Sequence, residues 1–579
     1  MSYQPIEDYA AIGDCRCLGL VSRQGSLDWL CLPRFDSPSV FGALLDAEKG
    51  GRFSIRPVAP CRVRREYVES TNVLQTVFST AGGEVCVTDL MPVGFPEDYR
   101  TRLWPERHLL RLAEGLSGEV EMEVFYEPRP QYGQEAAKLS SCGAMGLRHQ
   151  HRGRVLTLLG GPPLTLRSDR TAAFGRFSLK RGDRCDFSLT YAEGNIATIP
   201  PLHRDFLDRQ LDTTCRWWQQ WAARCTYRGK YRREVLRSLL VLKLLTFAPS
   251  GAVVAAPTCS LTERIGGSRN WDYRYCWLRD AGMTIRAFLN LGYPQEAEAF
   301  LAWLLHSTRL SRPELRVLYS IYGETDLREK GLELAGYRST RPVRMGNAAS
   351  EQLQLDVYGE VVEGAFDIAN AGNGLDRSAR NMLSQFGKTV CRRWREPDRG
   401  IWEIRAKSRH NTHSKVMCWV ALDRLIDMHR KGFIRIPLKR FTAEREAIRA
   451  AIDTDGYDEE MNCYTSYFGG REVDVSLFML PIYQYIEAAD PRMLGTVRRI
   501  TETLGENGLF YRFPFGFDGI QEGEGTFGIA VFLAAEVLAL RGDMQEARSM
   551  FEKALTYSND VGLFAEEIDA RTGAALKDE

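Results

Sequence analysis

The hydrophobic period of the chain changes once. Over the first two hundred residues apolar and polar positions alternate, as they do where one face of a strand packs and the other meets water. TNVLQTVFSTAGGEVCVTDLMP (71–92) alternates on both sides of a Gly-containing turn, which predicts a hairpin. VEMEVFYEPRP (120–130), RVLTLLGGPPLTLRS (154–168) and CDFSLTYAEG (185–194) continue the pattern between closely spaced turn signals. Short strands of this kind predict an antiparallel β-sandwich over residues 1–198.

IPPLHRDF (199–206) then marks a boundary with two prolines, and LDTTCRWWQQWAARC (211–225) predicts a helical linker over 199–230. From residue 231 to 579 apolar positions recur every three or four residues, the period of a helix with one buried face. REVLRSLLVLKLLTF (233–247), SEQLQLDVYGEVVEGAFDIANA (350–371), SKVMCWVALDRLIDMHR (414–430), DVSLFMLPIYQYIEAA (474–489) and TFGIAVFLAAEVLAL (526–540) are examples among about eleven such segments. Short turns and long aromatic-rich loops join them in alternation. Helices paired around a ring would produce this, as would a bundle or a solenoid.

Composition narrows the class. With 579 residues the chain exceeds what one core usually organises. Lys plus Arg number 76 and Asp plus Glu 75, so the balance gives no reason to bind nucleic acid or an anionic membrane. No apolar run reaches the roughly 18 residues of a membrane span. The start, MSYQPIEDYAAIGDC, lacks the basic and apolar regions of a secretory signal, which points to the cytoplasm. The 14 cysteines are irregularly spaced and read as buried thiols. The eight His include no H-E-x-x-H, and neither a catalytic metal nor a cofactor is predicted.

The loops carry the chemistry. GGSRNWDYRYCWLRDAG (266–282) packs two Trp, two Tyr, three Arg and two Asp into seventeen positions. A buried core rejects those charges and a solvated face has no use for the rings. A concave pocket for a polar, flat-faced molecule accepts both, and a sugar is such a molecule. Two further loops present a glutamate beside rings or glycines: Glu403 follows Trp402 in GIWE, and Glu524 lies in EGEGTF before a helix. Glycoside hydrolysis needs a carboxylic acid to protonate the leaving oxygen and a carboxylate to activate water or attack the sugar. Trp402 would offer Glu403 an apolar surface that keeps it protonated. A helix N-terminus would favour Glu524 ionised, so the two pKa values would be pushed apart. With 75 acidic residues, either glutamate also reads as a surface or capping residue.

GSRNWDYRYCWLRDAG, PVRMGNAASEQLQLDVYGE, GIWEIR…THSKVMCWVALDR, EVDVSLFMLP and EGEGTF, in this order, resemble glycoside hydrolase family 15, which holds glucoamylases, glucodextranases and trehalases. IGDCRCLGLVSRQGSLDWLCLPRFDSPSVFGALLD (12–46) resembles its bacterial N-terminal domain. The resemblance implies a β-sandwich followed by an (α/α)6 barrel. It implies an exo-acting, inverting hydrolase that releases β-glucose from the non-reducing end of short α-glucosides. By position, Glu403 corresponds to the general acid and Glu524 to the general base, which inversion would set about 6.5–9.5 Å apart. Arg279 and Asp280 match the pair that binds the outer hydroxyls of the terminal glucose, and Tyr273 and Trp277 the rings around it. Arg344, in PVRMGN, is placed at the pocket, Arg269 and Arg274 read equally as pocket or structural residues, and His413 and Lys415 read as scaffold for the acid loop.

Two departures stand out. After EGEGTF the chain reads GIAVFLAAE where the family has a Cys-Ser-Phe-Trp-like run, and after NDVGLFAEEIDARTG it ends at ALKDE. Eleven helices where the family has twelve leave the barrel open, or closed by another element such as a second copy of the chain. The substrate is a small oligosaccharide or disaccharide. A trehalase on the same residues and a non-catalytic glycan-binding homologue are the alternatives. A phosphorylase would need an anion site in place of Glu524.

Overall fold

The computed structural model describes residues 3–101, 105, 107–135, 137–194, 200, 202–309, 311, 314–372 and 374–577. Ile199 and Pro201, part of the predicted boundary, lie outside them. The chain divides into two compact units. One comprises Met1–Pro249, Leu332–Val343 and Asn559–Leu563, the other Ser250–Gly331, Arg344–Ser558 and Phe564–Glu579.

The first unit is an antiparallel sandwich. One sheet contains β1 (Tyr9–Gly13), β2 (Leu18–Ser22), β3 (Ser26–Cys31), β4 (Ser39–Phe41) and β5 (Arg52–Pro57). The other begins with β6 (Arg62–Tyr67), β7 (Leu74–Thr80) and β8 (Gly83–Leu90), the last two forming the hairpin predicted over 71–92. β9 (Arg107–Glu127) belongs to both sheets. Its first half pairs with β8 and its second half with β5. Between them Gly118 takes φ +63°, and a Cβ there would stand 2.0 Å from the Gly82 carbonyl oxygen. Only glycine fits where the strand crosses. Then come β10 (Ser140–Ser141), β11 (Leu147–His151), β12 (Arg154–Gly160), β13 (Thr165–Leu166), β14 (Ala173–Lys180) and β15 (Arg184–Glu193). β14 extends the first sheet from the far half of β9, and β15, β12, β11 and β10 extend the second. The inner faces meet in an apolar core in which Phe53 lies edge-on to Tyr126 and Phe187 at 5.5 and 5.8 Å.

Two helices follow α1 (Pro96–Thr101) in this unit. α2 (Arg204–Ala223) sets Phe206 and Leu207 among Val73, Leu90, Leu110 and Leu112. α3 (Arg232–Leu245) is tied by Arg237, which stacks on Tyr67 at 4.1 Å and donates to the Thr71 carbonyl.

The second unit is helical, and its inner helices Val357–Asn370 and Thr412–Arg430 bury most of their residues. α4 (Leu278–Asn290), α6 (Val357–Asn370), α8 (Thr412–Arg430) and α12 (Gly528–Arg541) each begin directly after one of the aromatic loops. α5 (Pro294–Ser307), α7 (Arg377–Arg393), α9 (Leu438–Asp455), α11 (Pro491–Leu504) and α13 (Met544–Leu555) alternate with them. Gly359 on α6 lets α8 approach closely, because a Cβ there would meet the Met417 carbonyl at 2.5 Å. The helix predicted over 474–489 is only a 3-10 turn (Val475–Phe478) and one α-turn, α10 (Met479–Ile482). Pro481 has no N–H to donate to the turn before it, and Gln484 leaves the helical region at φ +61°. The helix predicted over 350–371 begins at Val357, behind a 3-10 turn at Ala348–Glu351. No helix among the described residues is long and apolar enough to cross a membrane.

One ion pair bolts the sandwich. Arg111 on β9 donates to Asp89 on β8 at 2.7 Å, and the same guanidinium reaches the Gly25 and Phe53 carbonyls of the other sheet. Their side chains are 1% and 0% exposed. Removing one partner strands a buried charge, so Arg111→Met should cost about 3–5 kcal/mol in urea unfolding. The double variant Asp89→Leu with Arg111→Met should recover much of that loss, since it leaves no charge behind.

Candidate active site

Glu403 stands on a loop closed at its base. Asp398 and Arg409 exchange backbone hydrogen bonds at 2.8 and 2.9 Å, and the loop between them turns on Gly400 at φ +67°. The Asp398 carboxylate accepts from the Leu355 N–H, Asn411 Nδ2 and Ser414 Oγ, fixing the loop to the starts of α6 and α8. Lys415 donates to the Glu396 carbonyl at 2.6 Å. Glu403 itself has φ +53°, a left-handed conformation that costs a non-glycine residue on the order of 1 kcal/mol or more. Gln352 holds it there by donating from Nε2 to the Glu403 carbonyl at 3.1 Å.

The Glu403 carboxyl receives two donors on Oε1. Trp277 Nε1 lies at 2.5 Å and Arg279 Nη1 at 3.3 Å. Arg279 also binds Asp280 at 2.8 Å and the Ile401 carbonyl at 3.0 Å. Tyr273 packs its ring 5.1 Å from Trp277. Burial raises the pKa of Glu403 above the usual carboxylate range, and Asp280 adds to it. Arg279 and Trp277 pull the other way without cancelling the rise. Burial works against the charge on Arg279, but Asp280 and Glu403 outweigh it and strengthen the cation. Five of the residues predicted from the sequence thus form one group: Tyr273, Trp277, Arg279, Asp280 and Glu403.

Trp402 does not play the part expected of it. Its ring packs edge-on to Phe527 and Phe513, at 5.6 and 6.3 Å, and Arg512 lies over it at 5.8 Å. The ring that touches the Glu403 carboxyl is Trp277, which donates a hydrogen bond to it. Arg344 is occupied by structure: Nη1 donates to the Ser268 and Asn270 carbonyls, and Nε binds Glu329 at 3.0 Å. Arg344 and Arg405 both stack on Trp271, at 4.6 and 4.4 Å. Arg274 is fully buried on Asp272, and Arg269 grips Asp518 with two nitrogens. Arg269 also donates to the Glu522 carbonyl, which joins the loop before α4 to the one before α12.

Glu524 sits in a different environment from the one its sequence suggests. The helix starts four residues later, at Gly528, so Glu524 lies outside its first turn. Arg512 instead takes both Glu524 oxygens, at 2.7 and 3.3 Å, and the same guanidinium reaches Glu263 at 2.9 Å and Glu567 at 3.4 Å. The Glu524 side chain is 5% exposed. Burial raises its pKa and Glu263 adds to the rise, while Arg512 and Arg269 oppose it. Both glutamates are therefore shifted upward, rather than apart.

Glu566 and Glu567 were not singled out from the sequence. They lie where 567–568 pairs with Thr526–Phe527, and the Gly525 N–H donates to Glu567 Oε2 at 2.7 Å. The one signal was their place in NDVGLFAEEIDARTG, where acidic residues beside turn formers look like solvated surface. Glu263, Glu524 and Glu567 have the spacing of a metal-ligand set, but Arg512 Nη2 already bonds to all three.

Residues 229–577 match the family described as Glycosyl hydrolases family 15, and residues 1–158 match Trehalase-like, N-terminal. A trehalase of Thermoplasma volcanium is 34% identical over 99% of this chain and 91% of its own. A trehalase of Mycolicibacterium smegmatis is 33% identical over 99% of this chain and 88% of its own. The fold is that of a bacterial glucoamylase solved with acarbose, at TM-score 0.72 and 12% identity, over 100% of this chain and 91% of that one. That fold is a sandwich followed by an (α/α)6 barrel. With a family match across more than half its length, the chain belongs to glycosyl hydrolase family 15 and is a glycosidase.

Proposed function

We propose that this glycosidase hydrolyses α,α-trehalose with inversion. The observation that carries the reading is the likeness to trehalases, which extends over both units of the chain rather than the helical one alone. The glucoamylase-like reading, release of glucose from maltooligosaccharides, has a shared fold behind it and no comparable identity.

Glu403 is the general acid. A carboxyl raised by burial, with donors only on Oε1 in the contacts described, can present a proton to the glycosidic oxygen. Arg279 and the partly exposed Asp280 bind hydroxyls of the glucose whose bond breaks. An analogue lacking those hydroxyls leaves polar groups unpaired and is rejected. The base must draw a proton from a water that attacks the opposite face of the anomeric carbon. Glu524 was expected in this role, but Arg512 takes both its oxygens. Glu566 directly precedes Glu567 and is the less buried of the two residues. In this reading Glu566 activates the water and Glu524 holds Arg512 in place.

Inversion of trehalose gives one β-glucose from the attacked carbon and one α-glucose from the leaving half. Proton NMR within minutes should therefore show the two anomers in equal amounts before they equilibrate. α-Glucose alone would mean retention and overturn the mechanism. Glu403→Gln should lower kcat by about 10²–10⁴-fold. Glu566→Gln should do the same and recover with azide as β-glucosyl azide, while Glu524→Gln should lose activity without azide rescue. Rescue of Glu524→Gln instead would return the base to Glu524.

The acid must carry its proton, so activity falls as pH rises through the Glu403 pKa. Because that pKa is raised, the alkaline limb of kcat/KM should lie above the ordinary carboxylate range. Trp277→Phe removes a hydrogen bond that favours the ionised form. The limb should then move to still higher pH, with kcat lowered through looser placement of the carboxyl.

A further inference from the structure

The starts of α6 and α8 hold an unusual set of buried polar groups. Both Asp356 carboxylate oxygens, the Gln354 amide oxygen, Glu360 Oε1, the Thr412 hydroxyl and both His413 ring nitrogens have no hydrogen-bond partner among the described residues. Asp356, Glu360 and Thr412 are 0% exposed. Asp356 is the N-cap of α6, yet its side chain makes no capping bond. A buried carboxylate without hydrogen bonds can ionise only beside a cation.

The groups facing Asp356 identify that cation. From the acid loop these are Asp398 and Glu403, from α6 itself Glu360, from α8 Cys418, and from α4 Arg279. Asp398 has its own donors, and Lys415, next to Asp398, spends its ammonium on the Glu396 carbonyl. His413 faces Arg279 but is held neutral, its pKa lowered to about 3 by burial first and by Arg279 second. Arg279 is thus the one cation facing Asp356 in this set, and it is already shared between Asp280 and Glu403.

We propose that Asp356 is a positioning residue for the general acid: sharing Arg279 with Glu403, it draws the guanidinium's field away and leaves the Glu403 carboxyl able to carry its proton. The inference rests on the reading of Glu403 as the acid. Two effects act in the same direction. An ionised Asp356 adds a like charge that opposes loss of the Glu403 proton, and it weakens the attraction of Arg279 for the Glu403 carboxylate. Burial, with Asp398 adding and Arg279 opposing, raises Asp356 itself to about 7. Its charge therefore appears as the pH nears neutrality.

The test compares the pH profile of kcat/KM on trehalose for the wild type, Glu403→Gln, Asp356→Asn and Asp356→Ser. Removing the Asp356 charge should shift the alkaline limb about half a pH unit or more toward acid, in both Asp356 variants. A structural role alone would lower activity at every pH and leave the limb in place, and that result overturns the proposal. Activity retained by Glu403→Gln would instead remove the reading beneath it. Thermal unfolding gives a second measure that needs no catalysis. A carboxyl raised to about 7 stabilises the fold below its unfolded pKa of about 3.9, and that stability is lost as pH rises through 7. Wild-type Tm should decline over this window more steeply than that of either Asp356 variant, and parallel curves would count against the proposal.

Discussion

Arg512 is the centre on which the site depends. Three carboxylates meet its guanidinium, from Glu263 before α4, Glu524 before α12 and Glu567 beyond α13. Without that positive charge three buried acids would repel one another at close range, where weak screening makes repulsion costly. With it, three segments far apart in sequence become one wall. Arg269 repeats the device beside it by gripping Asp518 and the Glu522 carbonyl. Arg279 does so at the acid with Asp280 and Glu403. The pocket holds more acids than bases, and each guanidinium is shared. The ionisation of any one carboxyl therefore depends on its neighbours.

The acid loop shows how such a site is kept in shape. Glu403 occupies a backbone region unfavourable to a side chain, and the local sequence does not require it to. The conformation persists because Gln352 holds its carbonyl, Arg279 holds that of Ile401, and Asp398 ties the loop base to two helices. Each hold comes from a different element. Strain of this kind survives where the surroundings over-determine it. Its effect is to aim one carboxyl at a fixed point while the inner helices stay regular.

Much of this was legible in the sequence because it follows from periodicity. The 71–92 hairpin and the inner helices appear where alternation and three-to-four spacing put them. The cluster of Tyr273, Trp277, Arg279, Asp280 and Glu403 forms from the loops that carry it. What the sequence hid depends on tertiary contact. Trp402 is adjacent to Glu403 along the chain, yet neighbouring side chains diverge, and its ring joins Phe513 and Phe527 instead. EGEGTF looked like a helix start that would charge Glu524, but the residues between let the chain turn to Arg512 first. Glu566 and Glu567 sit among turn formers and carry no local sign of burial. Only the short pairing of 567–568 with 526–527 reveals them. Pro481 is visible in the sequence, and its missing N–H breaks the 474–489 segment despite that segment's helical period.

The long reach of the Arg512 group has a consequence for how the protein is made. Glu263 and Glu567 are about three hundred residues apart, and synthesis proceeds at roughly 5–20 residues per second. For on the order of 15–60 seconds a nascent chain carries Glu263 without its final companion. During that interval the wall lacks one side. The pairing of 567–568 with 526–527 is therefore among the last contacts the chain can make, and the wall closes only with it.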